Sequence, residues 1–403
     1  MSRICILGGG FGGLYTALQL AQLPWTVQPE IILIDRNDRF VFTPLLYELI
    51  TDELEPWEIA PTFSELLTGK GIKFVQGNVT AVDIVNCHVT VTNALLPAEV
   101  MNFKYDRLVL AIGGETPIDL VPGALEYVMT FRTLADAQRL QLKLHQLEQS
   151  KPEKIRVCIA GGGASGVELA CKISDRLQGL GRVRIVDRNP TILPNSPDSN
   201  RVYAEKALAS RDIWTDLSTT VSQIGDGEIT LNYPNGTDTL PVDIVMWTVG
   251  NTFSKLVQSL NLPHSAGRGQ IITEPTLQVQ GHPQIYALGD LAECRDASGQ
   301  VLPATAQVAF QQAGYCARNI WASLNNHPLS PFTYLALGEF ISLGKDNAAM
   351  SMFGQLGIEG MPALVARRLA YLLRMPTLQH QVKVGFNWLS RPLLNLLRSD
   401  RQG

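Results

Sequence analysis

Six cysteines are all that this 403-residue chain carries, and no two of them stand at the spacing of a metal site or a redox pair. Scattered at Cys5, Cys87, Cys158, Cys171, Cys294 and Cys316, they read as reduced and mostly buried thiols. HExxH is absent and the six histidines form no metal-binding arrangement, so no metal is expected. Eighteen consecutive apolar residues occur nowhere, which argues against a membrane-spanning helix. A Gly-rich turn is reached by Gly8, so no signal peptide is expected. Positive charge is also in short supply: a net charge of -4 and a pI near 5.9 create no general field for nucleic acid. The distribution is nevertheless uneven. From Met361 onward Arg367, Arg368, Arg374, Lys383, Arg391, Arg398 and Arg401 face one acid, Asp400. With 45% apolar residues the chain can fill two or three domain cores, and disorder is not expected.

What is present begins with a strand-like run, Arg3 to Leu7, that enters Gly8-Gly9-Gly10-Phe11-Gly12-Gly13 and then a helical pattern through Leu14, Ala17, Leu18 and Ala21. This is G-x-G-x-x-G between strand and helix, where backbone N–H groups approach a pyrophosphate at the positive end of the helix dipole. The next strand, Glu30 to Ile34, ends at Asp35, placed to accept from an adenosine ribose. After a helical stretch from Leu134 to Gln149 and a polar break through Lys151 and Pro152, the pattern repeats. Ile155 to Ala160 leads into Gly161-Gly162-Gly163-Ala164-Ser165-Gly166, and the strand Val183 to Val186 ends at Asp187. First glycine to acid spans 27 residues in one unit and 26 in the other. Two dinucleotide sites are the economical reading. Asp187 favours the 2'-hydroxyl of NADH and Arg188 the 2'-phosphate of NADPH, so both nucleotides stay open. Glu168 sits early in its helix, where the dipole stabilises any carboxylate; the alternative role is a charge beside a nicotinamide.

Between the two fingerprints, Phe40 to Glu48 is an apolar aromatic stretch broken by Pro44, either core or a wall for a flat ring. Short strands at Lys73 to Val75 and Val82 to Val91 precede a buried strand ending at Ala111-Ile112-Gly113-Gly114. Asp243 to Gly250 closes the second half. Ile285 to Asp290 is a final strand that stops at Gly289-Asp290, followed by a loop and a helix expected to begin near Pro303. On that helix Gln307 and Gln311 lie one turn apart and face one side.

These motifs resemble the type II NAD(P)H:quinone oxidoreductases, single-chain flavoproteins with two dinucleotide-binding domains. Ala306-Gln307-Val308-Ala309-Phe310-Gln311 is similar to that family's quinone-site motif, and Gly166-Val167-Glu168 to its charged position at the nicotinamide and quinone side. Arg39 to Leu49, Trp57 to Pro61 and Ala366 to Leu372 look like the cyanobacterial and plastid branch, whose members reduce demethylphylloquinone and plastoquinone-type quinones. The resemblance implies two Rossmann-like domains with a C-terminal membrane-association region: residues 1–118 and 251–335 for FAD, 119–250 for NAD(P)H, and 336–403 for the membrane. For FAD it implies Gly8, Gly10, Phe11, Gly12, Gly13, Asp35, Arg36, Thr43, Pro44, Leu45, Ala111, Gly113, Gly289, Asp290, Ala306 and Gln307. For NADH or NADPH it implies Gly161, Gly163, Ala164, Ser165, Gly166, Glu168, Asp187, Arg188 and Gly250. Glu168, Gln307 and Gln311 are the implied catalytic residues, and a membrane quinone the electron acceptor. The competing reading is a flavin-binding redox sensor without turnover. Disulfide reductases need a cysteine pair that this chain lacks.

The tail carries Leu364, Val365, Leu369, Leu372 and Leu373 on one broad helical face with Arg367, Arg368 and Arg374 elsewhere, then Phe386-Asn387-Trp388-Leu389 and Leu393 to Leu397 with Arg391 and Arg398. Basic amphipathic helices with an interfacial Trp lie on anionic membranes. A lid on the protein or a homodimer partner is the alternative cover. The expected location is peripheral, on the cytoplasmic side of a thylakoid or plasma membrane.

Overall fold

Strands buried on both faces are continuously apolar rather than alternating, and Ile4–Leu7, Ile31–Ile34 and Leu108–Leu110 have that character, with every one of these residues fully buried. The structure, a computed structural model, describes residues 1–399 except 97, 151–152, 297 and 353–355, with backbone alone at 356 and 391–399. The expected polar break at Lys151-Pro152 and the side chains of Arg391, Arg398, Asp400 and Arg401 therefore lie outside the described residues.

The chain forms two units. The first comprises Met1–Phe40, Ala60–Glu115 and Asn251–Leu335. Its eight-stranded sheet runs in the order Gln278–Val279, His282–Ala287, Arg107–Leu110, Arg3–Leu7, Glu30–Asp35, Ile72–Asp83, His88–Asn93, Val100–Lys104. The pairings from His282–Ala287 through Ile72–Asp83 are parallel. The helices Phe11–Leu20 and Ala306–Leu324 pack together in this unit. One of its cores is built around Cys5, Leu7, Ile32, Ile34, Phe253 and Ile285.

The second comprises Val41–Ile59, Thr116–Gly250 and Ala336–Gly403. Its parallel sheet orders Trp214–Asp216, Gly181–Val186, Ile155–Ala160, Ile244–Trp247 and Val128–Met129. An antiparallel meander, Thr220–Gly225, Glu228–Tyr233 and Gly236–Pro241, shares a core with one face through Cys158, Ala160, Val186, Ile229 and Leu231.

Four features depart from the sequence reading. Residues 41–59 pack in the second unit, not with the first fingerprint. The side chains that hold them there are remote in sequence: Gln141 and Arg176 donate to the carbonyls of Leu49 (2.5 Å) and Ile50 (3.1 Å). The described residues of 336–403 do not stand apart but belong to that same unit. They add a three-stranded sheet of Glu339–Ser342, Ala348–Met352 and Leu356–Glu359, then helices Met361–Leu372 and Leu378–Ser399. The strand expected at Lys73 to Val75 is longer, Ile72–Asp83, and the one expected at Val82 to Val91 is instead a hairpin, whose turn at 84–87 leads into His88–Asn93 and then Val100–Lys104. Finally, the glutamine helix begins at Ala306, capped by Thr305, whose hydroxyl accepts from the Val308 N–H at 3.3 Å.

Candidate functional site

The two fingerprints are close copies at atomic detail. In the first, Gly8 has φ of +98° and lies so near the Ala111 carbonyl that a Cβ would collide with it. A Cβ on Gly13 would strike the Gly8 carbonyl. In the second, Gly161 has φ of +113°, and a Cβ on Gly166 would strike the Gly161 carbonyl. Each turn is closed by its acid: the Gly9 N–H donates to Asp35 Oδ2 and the Gly162 N–H to Asp187 Oδ2, both at 2.6 Å. No side chain caps either helix at Gly10 or Gly163, and a Cβ on either glycine would meet nothing within 4 Å. First-turn N–H groups that no side chain caps, beside open space, fit a pyrophosphate in both places. These residues therefore suit two dinucleotides, as FAD and NAD(P)H require.

Around the first cradle, burial pushes the Asp35 carboxyl up against the lowering effect of its Gly9 and Asn37 hydrogen bonds. Arg36 is exposed and 3.5 Å from Glu115. Phe11 packs edge-on to Phe40 at 5.2 Å, and Gly12 lies against Leu288. Gly113 (φ +76°) faces open space and Gly289 (φ +76°) packs on Ala309. Asp290 is half-buried in the short turn Gly289–Leu291. Two residues that the sequence reading passed over hold this turn. Gln312, buried in the helix, accepts from the Gly289 N–H at 2.8 Å, and Gln270 donates to the Asp290 carbonyl at 2.9 Å. Ala306 and Gln307 are half-buried at the start of the helix. Gln311 departs from expectation. Its amide donates to the Leu335 carbonyl (2.9 Å) and accepts from the Leu335 N–H (3.0 Å), so both ends clip the following loop rather than standing open to a quinone.

Around the second cradle, Asp187 also accepts from the Asn189 N–H at 2.7 Å, while Arg188, Ala164 and Ser165 are exposed. Gly250 (φ +85°) lies against Pro117. Glu168 is buried and accepts from the Ser342 N–H at 2.8 Å. It belongs to a largely buried charge network. Arg367, fully buried, donates to Glu48 Oε1 and to the Pro44 carbonyl (2.6 Å), and lies 3.9 Å from Glu168. Lys172, also fully buried, pairs with Glu53 and stands 4.0 Å from Glu48; Arg368 is 3.5 Å from Glu53. Tyr371 stacks on the Arg367 guanidinium at 5.0 Å. Three acids thus meet three bases. Glu48 is lowered: burial raises it, but the Arg367, Lys172 and Arg368 charges together prevail. Glu168 goes the other way. Burial pushes it up to about 7, against the opposing pull of Arg367 and the Ser342 hydrogen bond.

Arg367 corrects the tail reading, which set it off the apolar face as one of the cations of a membrane-surface helix. It points inward onto Glu48, from which Lys172 stands 4.0 Å away. Of the remaining expected flavin contacts, Thr43 is exposed, the Pro44 carbonyl is taken by Arg367, and Leu45 is buried. Glu58, fully buried, accepts from Asn387 (3.0 Å) and from the indole of Trp388 (2.8 Å), so that tryptophan is held within the unit. Glu48, Lys172 and Arg367 were missed although a signal existed: Lys172 stands one turn after Glu168, and Arg367 interrupts the apolar spacing of Leu364 and Tyr371. All six cysteines are free. Burial pushes Cys158 and Cys171 up to about 12, so these two are neutral thiols.

Residues 2–313 match the pyridine nucleotide-disulphide oxidoreductase family. The chain is 52% identical over 400 residues to the demethylphylloquinone reductase NdbB of a Synechocystis species, covering 99% of this chain and 98% of that protein. It is 43% identical to the alternative NAD(P)H-ubiquinone oxidoreductase C1 of Arabidopsis thaliana, covering 99% and 83%. Among solved structures it is similar to NDH2 from Plasmodium falciparum in complex with NADH, with a TM-score of 0.85 at 17% identity over 96% of this chain and 98% of that one.

Proposed function

We propose, from the premise that the chain belongs to the pyridine nucleotide-disulphide oxidoreductase family and within it to the type II NAD(P)H:quinone oxidoreductases, that its substrate is a naphthoquinone of the demethylphylloquinone type held in a membrane. The full-length identity of 52% to a demethylphylloquinone reductase carries this reading. FAD, when bound, supplies the two-electron exchange with nucleotide and quinone. The first fingerprint holds its pyrophosphate, Asp35 its ribose, and the second fingerprint with Asp187 orients NAD(P)H. Anaerobic stopped-flow mixing tests the whole: NAD(P)H should bleach the flavin and a short-chain naphthoquinone restore it. Flavin that stays oxidised with both nucleotides would mean a redox sensor.

Reducing a quinone to a quinol also consumes protons, and Glu168 is assigned as a proton donor. A buried carboxyl that titrates near neutrality is half protonated where the enzyme works. Glu168→Gln should lower kcat for quinone reduction by about 10²-fold and flatten its pH profile around 7, while flavin reduction persists. The same group gives a stability signature. Its folded value lies above the ordinary carboxyl range, so its stabilisation is full at low pH and fades as pH rises from about 4.5 to about 7, by up to about 3 kcal/mol. Thermal melts of the parent should show that decline and those of Glu168→Gln should lack it. Parallel curves would remove the assignment.

Membrane attachment is assigned to the outer faces of the last two helices. Val365, Leu369 and Leu373, then Leu378, Val382, Phe386 and Leu389, are half to three-quarters exposed at helical spacing. Among the described residues no helix is long and apolar enough to cross a membrane. The position assigned is peripheral, on the cytoplasmic side of a thylakoid or plasma membrane. Deletion after Met361 would also strip Arg367 from Glu48, so surface substitutions are the cleaner test. Leu373→Gln, Phe386→Gln and Leu389→Gln together should weaken vesicle binding by at least about 10³-fold, at about 1.5–3 kcal/mol per apolar side chain. Activity on a short-chain quinone should be retained. Undiminished sedimentation with vesicles would leave this face to a homodimer partner.

A further inference from the structure

We propose that a cleft of about 570 Å³ in the second unit, between the amino ends of its parallel strands and the antiparallel meander, binds a planar aromatic anion at a site separate from the nucleotide cradle.

The cleft arises from strand alternation. In the paired strands Ile155–Ala160 and Gly181–Val186, Arg156 is registered with Arg182, Cys158 with Arg184 and Ala160 with Val186. These residues share one face of the sheet. At the carboxyl end Cys158, Ala160 and Val186 are sealed under the meander by Ile229 and Leu231. Toward the amino end the same rows turn cationic, and the cover ends. What remains is a hollow with Ile229, Leu240 and Val242 in its apolar lining and with four cations, Lys154, Arg156, Arg182 and Arg184, and one acid, Glu153, in its charged lining. Its volume falls within the range of small-molecule sites.

The charges there are not balanced. Arg184 is committed to Asp216 and lies 3.3 Å from the Tyr233 hydroxyl. Among the described residues the Arg156 guanidinium pairs only with Glu153, whose side chain is 75% exposed, at 3.6 Å. Arg182 has no carboxylate within ion-pair distance among the described residues. Two arginines registered side by side on neighbouring strands repel one another, a cost that an anion between them would remove. Trp214, half exposed, lines the same hollow. The Arg184 guanidinium stacks on its ring at 4.8 Å, and Arg182 lies 5.7 Å from it. A flat ring has a stacking partner in Trp214 and its anionic group has Arg156 and Arg182. The nucleotide cradle opens at the other, carboxyl, end of these strands, after Ala160 and Val186, where nucleotides bind in sheets of this kind. One ligand cannot be explained by both.

Calorimetric titration of the FAD-loaded full chain with 1-naphthyl phosphate, 2-naphthoate and neutral 1-naphthalenemethanol tests the site. Expected is saturable 1:1 binding of at least one anion, none of the alcohol, and no change when NAD⁺ is saturating. Arg182→Gln and Arg156→Gln should each weaken binding about tenfold or more, and Trp214→Ala should abolish it, with quinone reduction unaltered in all three. The proposal is overturned if neither anion binds saturably, if NAD⁺ displaces them, or if the arginine variants bind as the parent does. Phosphate binding without carboxylate binding would narrow the ligand to phosphate esters and keep the site.

Discussion

Arg367→Met should lower the melting temperature by on the order of 10 °C. Removing one partner of a buried ion pair strands the other, which costs about 3–5 kcal/mol, and each kcal/mol moves a unit of roughly 200 residues by about 2–4 °C. The stranded group is Glu48, fully buried, whose next cation, Lys172, is 4.0 Å away and already paired with Glu53. The Pro44 carbonyl loses its donor in the same step. Adding Glu48→Gln to Arg367→Met should recover most of the loss, because Glu48 is then no longer a buried charge stripped of its partner, and Arg367→Lys should fall between. The thermal double-mutant cycle is the measurement. Single-variant losses that simply add would mean the pair is not coupled. Because the Glu48 carboxyl is held below its ordinary range despite burial, the pair's contribution is present above that range and vanishes as pH falls through the lowered value. Acidification should therefore narrow the gap between parent and Arg367→Met.

Gly166→Ala should slow flavin reduction by NAD(P)H about 100-fold without emptying the enzyme of flavin. A Cβ at Gly166 is driven into the Gly161 carbonyl, and that atom belongs to backbone, which cannot step aside as a flexible side chain can. The helix start must shift away from the turn. Displacing a reactant by about 1 Å costs on the order of 10²-fold in rate. The first fingerprint is untouched, so the 450-nm flavin absorbance per protein should match the parent. Gly13→Ala makes the same collision with Gly8 and should reverse the pattern, with flavin lost on purification. If Gly166→Ala also lost flavin, or Gly13→Ala kept it, the assignment of the two cradles to two cofactors would be wrong.

Much of the scaffold was legible because its signals are local. A strand, a glycine turn, a helix and a terminal acid within about thirty residues announce a nucleotide half-domain, and the repetition from Ile155 to Asp187 makes the announcement twice. Ile155–Ala160 lies where the apolar run placed it. Long-range pairing was not legible. Nothing near Glu48 tells that its counter-ion lies 319 residues later, and residues 41–59 were accordingly given to the wrong unit. The glutamines show the same limit. Helical spacing put Gln307 and Gln311 on one side, but it could not show that Leu335 takes up the Gln311 amide. Gln312, one residue on, carries the contact to Gly289.

The helix Met361–Leu372 turns Arg367 inward among Ala363 and Leu364 and leaves Val365 and Leu369 outside. A helix seated by apolar contacts alone can roll through a fraction of a turn among packings of nearly equal energy. One whose buried guanidinium has to meet a single carboxylate and a single carbonyl cannot. Arg367 therefore acts as an index pin, setting the azimuth of the helix and with it the direction in which the outer residues point. Shifting that cation by one position along the chain would swing the outer face through about 100°.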